Sequence, residues 1–414
     1  MRHLSSKYLL IISVIGISAV IIWFPSSPQF QAAGTTLYVA TNGTDSGSCG
    51  ASANPCRTLQ QAFNLAGPGD TILIRSGTYA GLCARNKGGS PSNPITIKPD
   101  TGAMVTLDGA ITPECDPGFD PVFYFGGGAA YITIDGHNGT QAEALRITQS
   151  DWGMQPSCTM WTPGGGTDQS CCFQWVRGDG SPRPRREAVE FQWEMVQDPS
   201  DWPHHITIQN TEIVHVAWSL IAGWTNDLQL LNNHMHNEID RNITYVNPYG
   251  TYLMGERLTI RGNRIHGLYV GLRFGTGGKL GYARDYTVEQ NMIYDNWGKG
   301  AWWTNTEPDV CWSSAGGSGI VAVASDNLRV RNNVVYGNVI PDPGVWGDPA
   351  RGGIGASACR ARILSTTTRS SITPAPRRRG TSRASGSAHP VAMSAITLHI
   401  TTSKTSPPGR NPTT

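Results

Sequence analysis

The chain has 414 residues, among them 49 Gly and 27 Pro, and its formal net charge is +2. That length is ample for one large β domain. No acidic residue follows Asp348, so residues 1–355 carry 23 basic and 30 acidic side chains, a net charge of −7. This mildly acidic body argues against a nucleic-acid partner, which would require a basic surface.

The first 34 residues are predicted to direct export. Arg2 and Lys7 precede an apolar run of 17 residues, 8–24, which is at the lower limit for spanning a bilayer. Residues 1–34 are therefore interpreted as a secretory signal peptide or a signal anchor. We expect the chain from Thr35 onward to be secreted or held at the extracellular face of the membrane.

The nine cysteines of an exported chain favour disulfides. Cys49 and Cys56 bracket a short loop and are predicted to pair, and Cys83 is assigned to Cys115. Several pairings stay open for Cys158, Cys171, Cys172 and Cys311. A metal site is the alternative, but the chain has no Cys-x-x-Cys spacing.

The N-terminal segment predicts a strand, a helix and the first coils of a β structure. Thr36–Val39 is a strand, and Thr58 is placed to cap a helix over LQQAFNLA. The apolar face of that helix consists of Leu59, Ala62, Phe63 and Ala66. DTILIRSGTY, NPITIKP, VTLDG and YITIDG follow as alternating strands.

Five later segments repeat one pattern: an alternating strand, a polar pair rich in Asn, and a second short strand. They are HITIQNTEIVHV from His205, LQLLNNHMHNE from Leu228, LTIRGNRIHGL from Leu258, YTVEQNMIYDN from Tyr286 and LRVRNNVVYGN from Leu328. A repeat of this length with irregular insertions indicates a solenoid, and a β unit makes it a β-helix. A β-sandwich with Asn-rich turns is the alternative, but it would not reproduce the pattern five times.

The Asn of each repeat has a predicted structural role. Asn tolerates the left-handed backbone region, so it can turn the corner between two strands. Stacked coils would place four such side chains above one another: Asn233, Asn263, Asn291 and Asn333. Their amides can then form a ladder along the axis.

The segment YVATNGTDSGS…PCRTLQQAFNLAGPGDTILIRSGTY resembles the N-terminal part of secreted right-handed parallel β-helix proteins of the pectate-lyase-like superfamily. The resemblance covers about Thr36–Gly355. It implies an all-β fold over residues 35–355, a right-handed parallel β-helix (solenoid) with a short N-terminal capping helix. The superfamily includes polysaccharide lyases, glycoside hydrolases, epimerases and proteins without known activity. We therefore expect a monomer that acts on extracellular polysaccharide.

Two regions depart from the repeat. Residues 150–203 contain five Trp and three Cys and are predicted to form a disulfide-tied insertion over one face of the solenoid, or else a separate small domain.

Residues 356–414 are rich in Ser, Thr, Arg and Pro and are interpreted as a disordered tail. Codons compatible with Arg362–Ala375 encode, in a shifted frame, YIIYNNTVVNNTG, which is a further strand–Asn-Asn–strand coil. We therefore predict that the tail is frameshifted.

The segment YDNWGKGAWWTNTEPDVCW, beside the fourth repeat, concentrates candidate site residues. A uronan lyase needs a base, often Lys or Arg in the superfamily, and a cation that neutralises the uronate carboxylate. Lys299 is the predicted base, Lys279 is the second candidate, and Arg273 is predicted to neutralise the substrate. Ordinary surface charge is the alternative explanation for each of them.

Aromatic and acidic residues extend this candidate site. Stacking on sugar rings is predicted for Trp297, Trp302 and Trp303. A Ca²⁺ ion, which prefers several carboxylate oxygens, could be held by Asp295, Glu307 and Asp309. The sequence lacks the full Asp cluster of the calcium-dependent lyases in the superfamily, which weakens the lyase interpretation.

Two further activities stay open. A glycoside hydrolase needs two carboxylates flanking the bond, and the candidate pairs are Glu238 with Asp240 and Asp285 with Glu289. A non-catalytic surface or adhesion β-helix is the third hypothesis.

Histidines are frequent in the earlier coils. They are His204, His205, His215, His234, His236 and His266. His234-x-His236 places two imidazoles on one strand face. The pair is a candidate metal site, although a polar ladder on the solvent face is the commoner explanation.

Overall fold

The structure is a computed structural model that describes most of residues 34–338 and two short segments beyond them. The described residues are 34–112, 115, 121–150, 152–157, 172–177, 187–192, 201–216, 219–237, 249–275, 283–296, 299–304, 307–315, 317–323, 325–338, 353–357 and 369–371. Residues 1–33 of the predicted leader lie outside them. No helix within the described part of the chain is long and apolar enough to cross a bilayer.

Short strands dominate the chain, with one α-helix, α1 (Leu59–Leu65), and one 3₁₀ turn (Gly109–Ile111) among the described residues. The first strands are β1 (Thr36–Val39), β2 (Thr71–Ile74), β3 (Gly77–Tyr79), β4 (Leu82–Arg85), β5 (Ile95–Pro99), β6 (Val105–Asp108), β7 (Phe123–Gly126), β8 (Ala130–Asp135), β9 (Leu145–Thr148), β10 (Trp152–Ser157), β11 (Cys172–Arg177) and β12 (Glu187–Phe191). They are followed by β13 (His204–Gln209), β14 (Glu212–Val214), β15 (Ser219–Asn226), β16 (Gln229–Leu231), β17 (His234–His236), β18 (Tyr249–Glu256), β19 (Thr259–Arg261), β20 (Arg264–His266), β21 (Val270–Phe274) and β22 (Ala283–Arg284). The last are β23 (Thr287–Glu289), β24 (Met292–Tyr294), β25 (Lys299–Thr304), β26 (Glu307–Ala315), β27 (Ser318–Val323), β28 (Ser325–Asp326), β29 (Arg329–Arg331), β30 (Val334–Tyr336), β31 (Ile354–Ser357) and β32 (Arg369–Ser371).

The strands stack along one axis in three faces. Face A consists of β4, β7, β12, β15, β18, β21, β27 and β31, and face B of β1, β2, β5, β8, β13, β16, β19, β23 and β29. Hydrogen bonds join faces A and B into one 19-stranded sheet that includes β22 and β28. Face C is a nine-stranded sheet of β3, β6, β9, β14, β17, β20, β24, β30 and β32. Strand pairs within the faces are parallel, so the predicted parallel β-helix is confirmed.

The interior is filled by apolar side chains that recur at one register. On face B, fully buried register partners are Ile72, Ile97, Ile134 and Ile208. Each buried Ile contributes about 1.5–3 kcal/mol. A single coil cannot bury its apolar face alone, so each coil is stabilised by those above and below it.

The predicted Asn ladder is confirmed at the corner between faces B and C. It consists of the buried side chains of Asn233, Asn263, Asn291 and Asn333, joined in series by Nδ2–Oδ1 hydrogen bonds of 3.1, 2.9 and 2.9 Å. We call this series the Asn column. The left-handed backbone lies one residue earlier than predicted, at Asn232, Gly262, Gln290 and Asn332. The column position therefore selects Asn for its amide hydrogen bonds and not for its backbone tolerance.

The predicted N-terminal helix covers the first coils. Thr58 Oγ1 accepts a hydrogen bond from the backbone N–H of Gln61 at 3.2 Å. The helix buries Leu59, Ala62 and Phe63 and packs beside β1, β2 and β4. Both predicted disulfides of this part of the chain are formed, Cys49–Cys56 and Cys83–Cys115.

The region predicted as an insertion, residues 150–203, includes part of the solenoid. β10 and β11 pair antiparallel in a two-stranded sheet of their own. β12, in contrast, pairs with β7 and β15 on face A. Val189 and Phe191 of β12 are fully buried, because their alternation along the strand turns both toward the core. The solenoid thus resumes at Glu187.

The solenoid also continues into the predicted tail. β31 pairs with β27 and β32 pairs with β30, so Arg369–Ser371 forms a strand where disorder was expected. Residues 358–368 and 372–414 lie outside the described residues. The frameshift stays a prediction. Sequencing the gene across codons 350–362 tests it, and a clean read without a shifted open frame would contradict it.

Candidate functional site

A column of residues with left-handed backbone lies at the corner between faces A and B. In successive coils it consists of Tyr131, His205, Asp227, Arg257, Asp285 and Asn327, with φ between 50° and 59°. Asn, Asp and His adopt this conformation more readily than other residues with side chains. Tyr131 and Arg257 therefore adopt a backbone conformation that is unfavourable for their residue types. Such conformations are common where a side chain is needed for function.

Four of these residues line a groove on the outer surface of face B, which we call the face B groove. Its volume is about 390 Å³. Its lining consists of Tyr131, His205, Asp227 and Arg257, the register partners Thr133, Thr207, Gln229 and Thr259, and Pro91 with Pro94 from the loop before β5. Neighbouring strands are about 4.8 Å apart, so the four coils from β8 to β19 span about 14 Å. The groove is long enough for a short run of sugar units.

Arg257 is fixed in the groove by ion pairs. Its Nε and Nη2 donate to the Asp227 carboxylate at 2.7 and 2.9 Å, and its Nη1 donates to Glu256 at 2.8 Å. The hydrogen bond with Asp227 raises the pKa of Arg257, so the guanidinium stays charged. Burial raises the pKa of Asp227, but the hydrogen bond from Arg257 and the nearby His205 outweigh burial and lower it. The pair therefore presents charged donors and acceptors in a fixed orientation.

Tyr131 supplies an aromatic surface in the groove. Its ring stacks on the His205 imidazole with centroids 4.6 Å apart. Nδ1 of His205 lies 2.7 Å from Nδ1 of His204, so one imidazole donates a hydrogen bond and the other accepts it. Burial, followed by the neighbouring His205, lowers the pKa of His204. The His205 side chain is 46% exposed and accessible from the groove.

A second group of polar side chains, the histidine cluster, lies on face C. His234 and His236 on β17 and His266 on β20 each offer a nitrogen, and these nitrogens lie within 4.8 Å of one another. Nε2 of His234 is 2.9 Å from Nε2 of His266. Nε2 of His236 is 3.0 Å from Glu212 Oε1, and Nδ1 of His234 is 3.2 Å from Glu143 Oε2. The structure thus adds a third histidine to the pair singled out in the sequence.

Burial keeps two imidazoles of the cluster neutral. Burial, then the nearby His236 and Arg264, lowers the pKa of His234 to about 3. The same causes in the same order lower the pKa of His266 to about 4. The hydrogen bond with His236 lowers the pKa of Glu212. At neutral pH the cluster therefore combines unprotonated imidazoles with an ionised carboxylate, which are ligand types suited to transition metals.

Arg273, predicted to neutralise the substrate, lies on face A. Its guanidinium lies over the rings of Tyr249 and Tyr252, 5.5 and 4.8 Å from their centroids. Its Nη1 donates to the Tyr249 hydroxyl at 3.4 Å. These contacts orient the guanidinium on a different face from the groove and from the histidine cluster. Its role toward a substrate stays a prediction.

One hairpin contains five of the other predicted site residues. β25 carries Lys299, Trp302 and Trp303, and β26 carries Glu307 and Asp309. The two strands pair antiparallel, with a register irregularity after Trp303. β11 of the preceding insertion lies beside β25. The register places Trp303 and Glu307 near the turn and Lys299 at the other end of the hairpin, opposite Ala315, so Lys299 is not brought beside the acidic positions. The roles of the five side chains stay predictions.

Asp295, the third predicted Ca²⁺ ligand, follows β24 with φ of 48°. A Cβ at Gly337 would lie 2.2 Å from its Oδ1, so Gly337 makes room for this carboxylate. The groups of three metal-ligand side chains found in the described residues do not include Asp295. Lys279 and Trp297 lie outside the described residues. The Ca²⁺ site stays a prediction.

Of the carboxylates considered for hydrolysis, the structure describes Asp285 and Glu289, and both accept hydrogen bonds from the following coil. Glu238 and Asp240 lie outside the described residues. Asp285 accepts a hydrogen bond from the corner Asn of the next coil, and Glu289 accepts one from Arg331 at 2.6 Å. These contacts explain Asp285 and Glu289 as partners of the neighbouring coil.

Sequence analysis missed the groove, although a signal for it exists. Its corner residues come from four coils of unequal length, so no local motif contains them. Aligning the chain on the face B strands would place Tyr131, His205, Asp227 and Arg257 in one column. The column lies two residues before the register partners Thr133, Thr207, Gln229 and Thr259. A column that mixes an aromatic ring with charges is typical of a binding surface.

Fold and site together define an all-β protein whose domain is a right-handed parallel β-helix. A family model described as "Right handed beta helix region" matches residues 201–360. "Uncharacterized protein YwoF" of Bacillus subtilis (strain 168) is 34% identical over 79 residues, 19% of this chain. That match spans 17% of the YwoF chain, about a sixth of its length.

Solved structures of similar shape are distant in sequence. Pectate lyase Pel9A is 15% identical, with 82% of this chain and 80% of that chain covered and a TM-score of 0.46. The GH136 lacto-N-biosidase from Eubacterium ramulus is 14% identical, with 79% of this chain and 56% of that chain covered and a TM-score of 0.47.

Proposed function

We propose that the protein is exported, binds an extracellular polysaccharide in the face B groove, and cleaves uronate-containing chains there by β-elimination. The observation that carries the proposal is the groove, about 390 Å³ in volume and lined by ordered polar side chains beside the Tyr131 ring. That volume lies within the range of ligand sites in proteins. The site belongs to rigid strands, which hold its side chains in place without a ligand.

The lining supports a carbohydrate as the ligand. The hydroxyls of Thr133, Thr207 and Thr259 both donate and accept hydrogen bonds, as sugar hydroxyls do. The Tyr131 ring offers an apolar surface to the face of a sugar ring. The same kind of contact recurs from coil to coil, so a polymer of repeating units would meet repeating partners.

The groove also supports elimination at a uronate unit. A base removes the proton on the carbon next to the carboxylate, a carbon–carbon double bond forms, and the glycosidic oxygen leaves with a proton. His205 is the proposed base, and Tyr131, stacked on it, is the proposed proton donor to the leaving oxygen. Arg257 supplies positive charge for the carboxylate. Lys299 is the alternative base from sequence analysis.

A uronan panel tests the proposal. Protein without an affinity tag is incubated with polygalacturonate, alginate and a glucuronate polymer, and the absorbance of the unsaturated product is followed. The absorbance is expected to rise with at least one polymer, to be lost in His205→Gln and Tyr131→Phe, and to persist in Lys299→Ala. If Lys299→Ala loses the absorbance and His205→Gln keeps it, the base is Lys299 of the hairpin and not His205.

The same incubations distinguish the other two hypotheses. New reducing ends without the absorbance would support hydrolysis. Retention on the polymer without either signal would support a binding protein. Export is tested separately, by sequencing the N-terminus of the protein recovered from the medium and from the membrane.

A further inference from the structure

We infer that the histidine cluster on face C, His234, His236 and His266, is a binding site for one divalent first-row transition metal ion. The three side chains come from two adjacent coils and offer nitrogens within 4.8 Å of one another. This inference is independent of the face B groove and of the reaction proposed there. It also differs from the predicted Ca²⁺ site, because imidazoles favour Zn²⁺, Ni²⁺, Co²⁺ or Cu²⁺ and Ca²⁺ favours oxygen ligands.

The spacing of the nitrogens is close to that of a metal site. Zinc–nitrogen bonds of about 2.0–2.1 Å at a tetrahedral angle place two ligand nitrogens about 3.3 Å apart. Nε2 of His234 and Nε2 of His266 are 2.9 Å apart. A separation greater by a few tenths of an ångström, within reach of small rotations about the side-chain bonds, would admit the ion between them.

Carboxylates lie beside the ring nitrogens that would not bind the metal. In metalloproteins such carboxylates orient the histidine ligands. Glu212 Oε1 lies 3.0 Å from Nε2 of His236, which leaves Nδ1 of His236 as the free nitrogen when Nε2–H donates. Glu143 Oε2 lies 3.2 Å from Nδ1 of His234. Glu212 is itself held by Arg146, with Nε 3.6 Å from Oε2.

Arg264 determines the hydrogen bonding of the cluster without metal. Its Nη2 lies 2.6 Å from Nδ1 of His234, and because arginine only donates, Nδ1 accepts. The Nε2–H of His234 therefore donates to Nε2 of His266. Metal binding would move that proton to Nδ1, where Glu143 accepts it. The Arg264 Nη2, now facing a donor, would then have to withdraw from Nδ1 toward Glu143, 3.7 Å away.

A packing role alone is the alternative explanation for the cluster. His236 and His266 have stacked rings with centroids 5.1 Å apart, and the stack continues from His266 to Tyr294 at 4.7 Å. Stacking, however, does not require the nitrogens of His234 and His266 to face one another, nor a carboxylate beside His234 and His236. The hydrogen bond between His234 and His266 accounts for that one pair of nitrogens, and a metal site accounts for the third histidine and the carboxylates as well.

The test uses the full chain without an affinity tag, stripped with chelator and dialysed. Titration with Zn²⁺ is followed by calorimetry, and titration with Co²⁺ by its visible ligand-field absorption. One equivalent is expected to bind, with affinity more than about a hundredfold weaker in His234→Gln and His266→Gln. His137→Gln, in a histidine outside the cluster, is the matched control and should bind like the unchanged protein.

A second variant separates ligand loss from misfolding. Glu212→Gln keeps all three histidines, and an affinity lower by about 10- to 100-fold is expected because the orienting carboxylate is lost. Absence of a bound equivalent in the unchanged protein would overturn the inference. Equal affinity in the unchanged protein and in His234→Gln would also overturn it, because the metal would then lie elsewhere.

Discussion

The Asn column and the histidine cluster are built by the same stacking of coils. They differ in how completely their side chains satisfy one another's hydrogen bonds. In the Asn column each interior amide donates to the next Asn and to a backbone carbonyl, as Asn263 does to Asn291 and Leu230 at 2.9 Å. Its oxygen accepts from the backbone and side chain of Asn233. Every polar group is used inside the column, so the column stabilises the fold and offers nothing to a ligand.

Imidazoles stacked in the same way cannot saturate one another. A neutral imidazole has one donor and one acceptor, whereas an amide has two donors and an oxygen with two lone pairs. In the histidine cluster one imidazole donates to another, from His234 to His266, and the remaining hydrogen bonds go to Arg264, Glu143 and Glu212 outside the stacked histidines. The hydrogen-bonding capacity of the stacked residue therefore decides whether a column is satisfied within itself or depends on neighbouring side chains.

The largest expected effect comes from breaking the Asn column. Asn263→Ala removes the acceptor of the buried Asn233 backbone N–H, one of the two acceptors of the Asn233 side-chain amide, and the side-chain donor to the carbonyl of Leu230. It should lower the free energy of unfolding by about 2–3 kcal/mol. Urea denaturation measures it. The control is Gln229→Ala on an exposed face B position, expected within about 0.5 kcal/mol of the unchanged protein. Equal losses in both variants would contradict a stabilising column.

Acidification should destabilise the histidine cluster. In the folded protein the pKa of His234 is about 3 and that of His266 about 4, below the unfolded value of about 6.5. Between pH 6.5 and 4 the unfolded chain therefore binds more protons, and stability falls as pH falls. In the presence of chelator, the melting temperature should drop more steeply over this range than that of a His234→Gln/His266→Gln double variant.

The comparison with the double variant isolates the two imidazoles. The charged groups that face them are the same in both proteins: Glu143, Glu212, Arg146 and Arg264, with His236. Parallel melting curves across the pH range would show that His234 and His266 titrate normally in the folded state.

Replacing Arg257, the positively charged side chain of the groove, should weaken oligosaccharide binding more than replacing a nearby arginine outside the groove. Arg257→Lys keeps the charge but loses the two-point contact with Asp227, so affinity for a uronate oligosaccharide should fall roughly fivefold, about 1 kcal/mol. Arg284→Lys is the matched control, because Arg284 contacts Glu256 at 3.1 Å outside the groove. Calorimetric titration measures both. Equal affinities would remove Arg257 from the binding surface.

The smallest effect is expected at an exposed ion pair of the last coils. Arg331 Nε lies 2.6 Å from Glu289 Oε2, but the arginine side chain is 51% exposed. Arg331→Gln should change the free energy of unfolding by less than about 0.5 kcal/mol. A loss as large as that of Asn263→Ala would mean that exposed columns stabilise this fold as strongly as the buried one.

Sequence periodicity predicted the strands because strand–Asn–strand is a local pattern. The corner geometry was misplaced by one residue, since Asn232 and Asn233 are both Asn and the pattern cannot tell which turns the chain. His234 and His236 were recognised from one strand, but His266 lies a coil away. The face B groove was missed because strand register across coils of unequal length brings Tyr131 and Arg257 together.

If the face B groove holds a polysaccharide, as proposed, Tyr131→Asn should weaken binding, because Tyr131 is the aromatic ring of the groove. Asn adopts the left-handed backbone more readily than Tyr, so the variant removes the ring without straining the corner. Asp285→Asn, in the same corner column but outside the groove, is its matched control. Titration with the oligosaccharide of the preferred polymer should show unchanged affinity in Asp285→Asn and affinity lower by about tenfold, about 1.4 kcal/mol, in Tyr131→Asn. Equal affinity in all three proteins, or no binding of any polymer, would contradict polysaccharide binding in the face B groove.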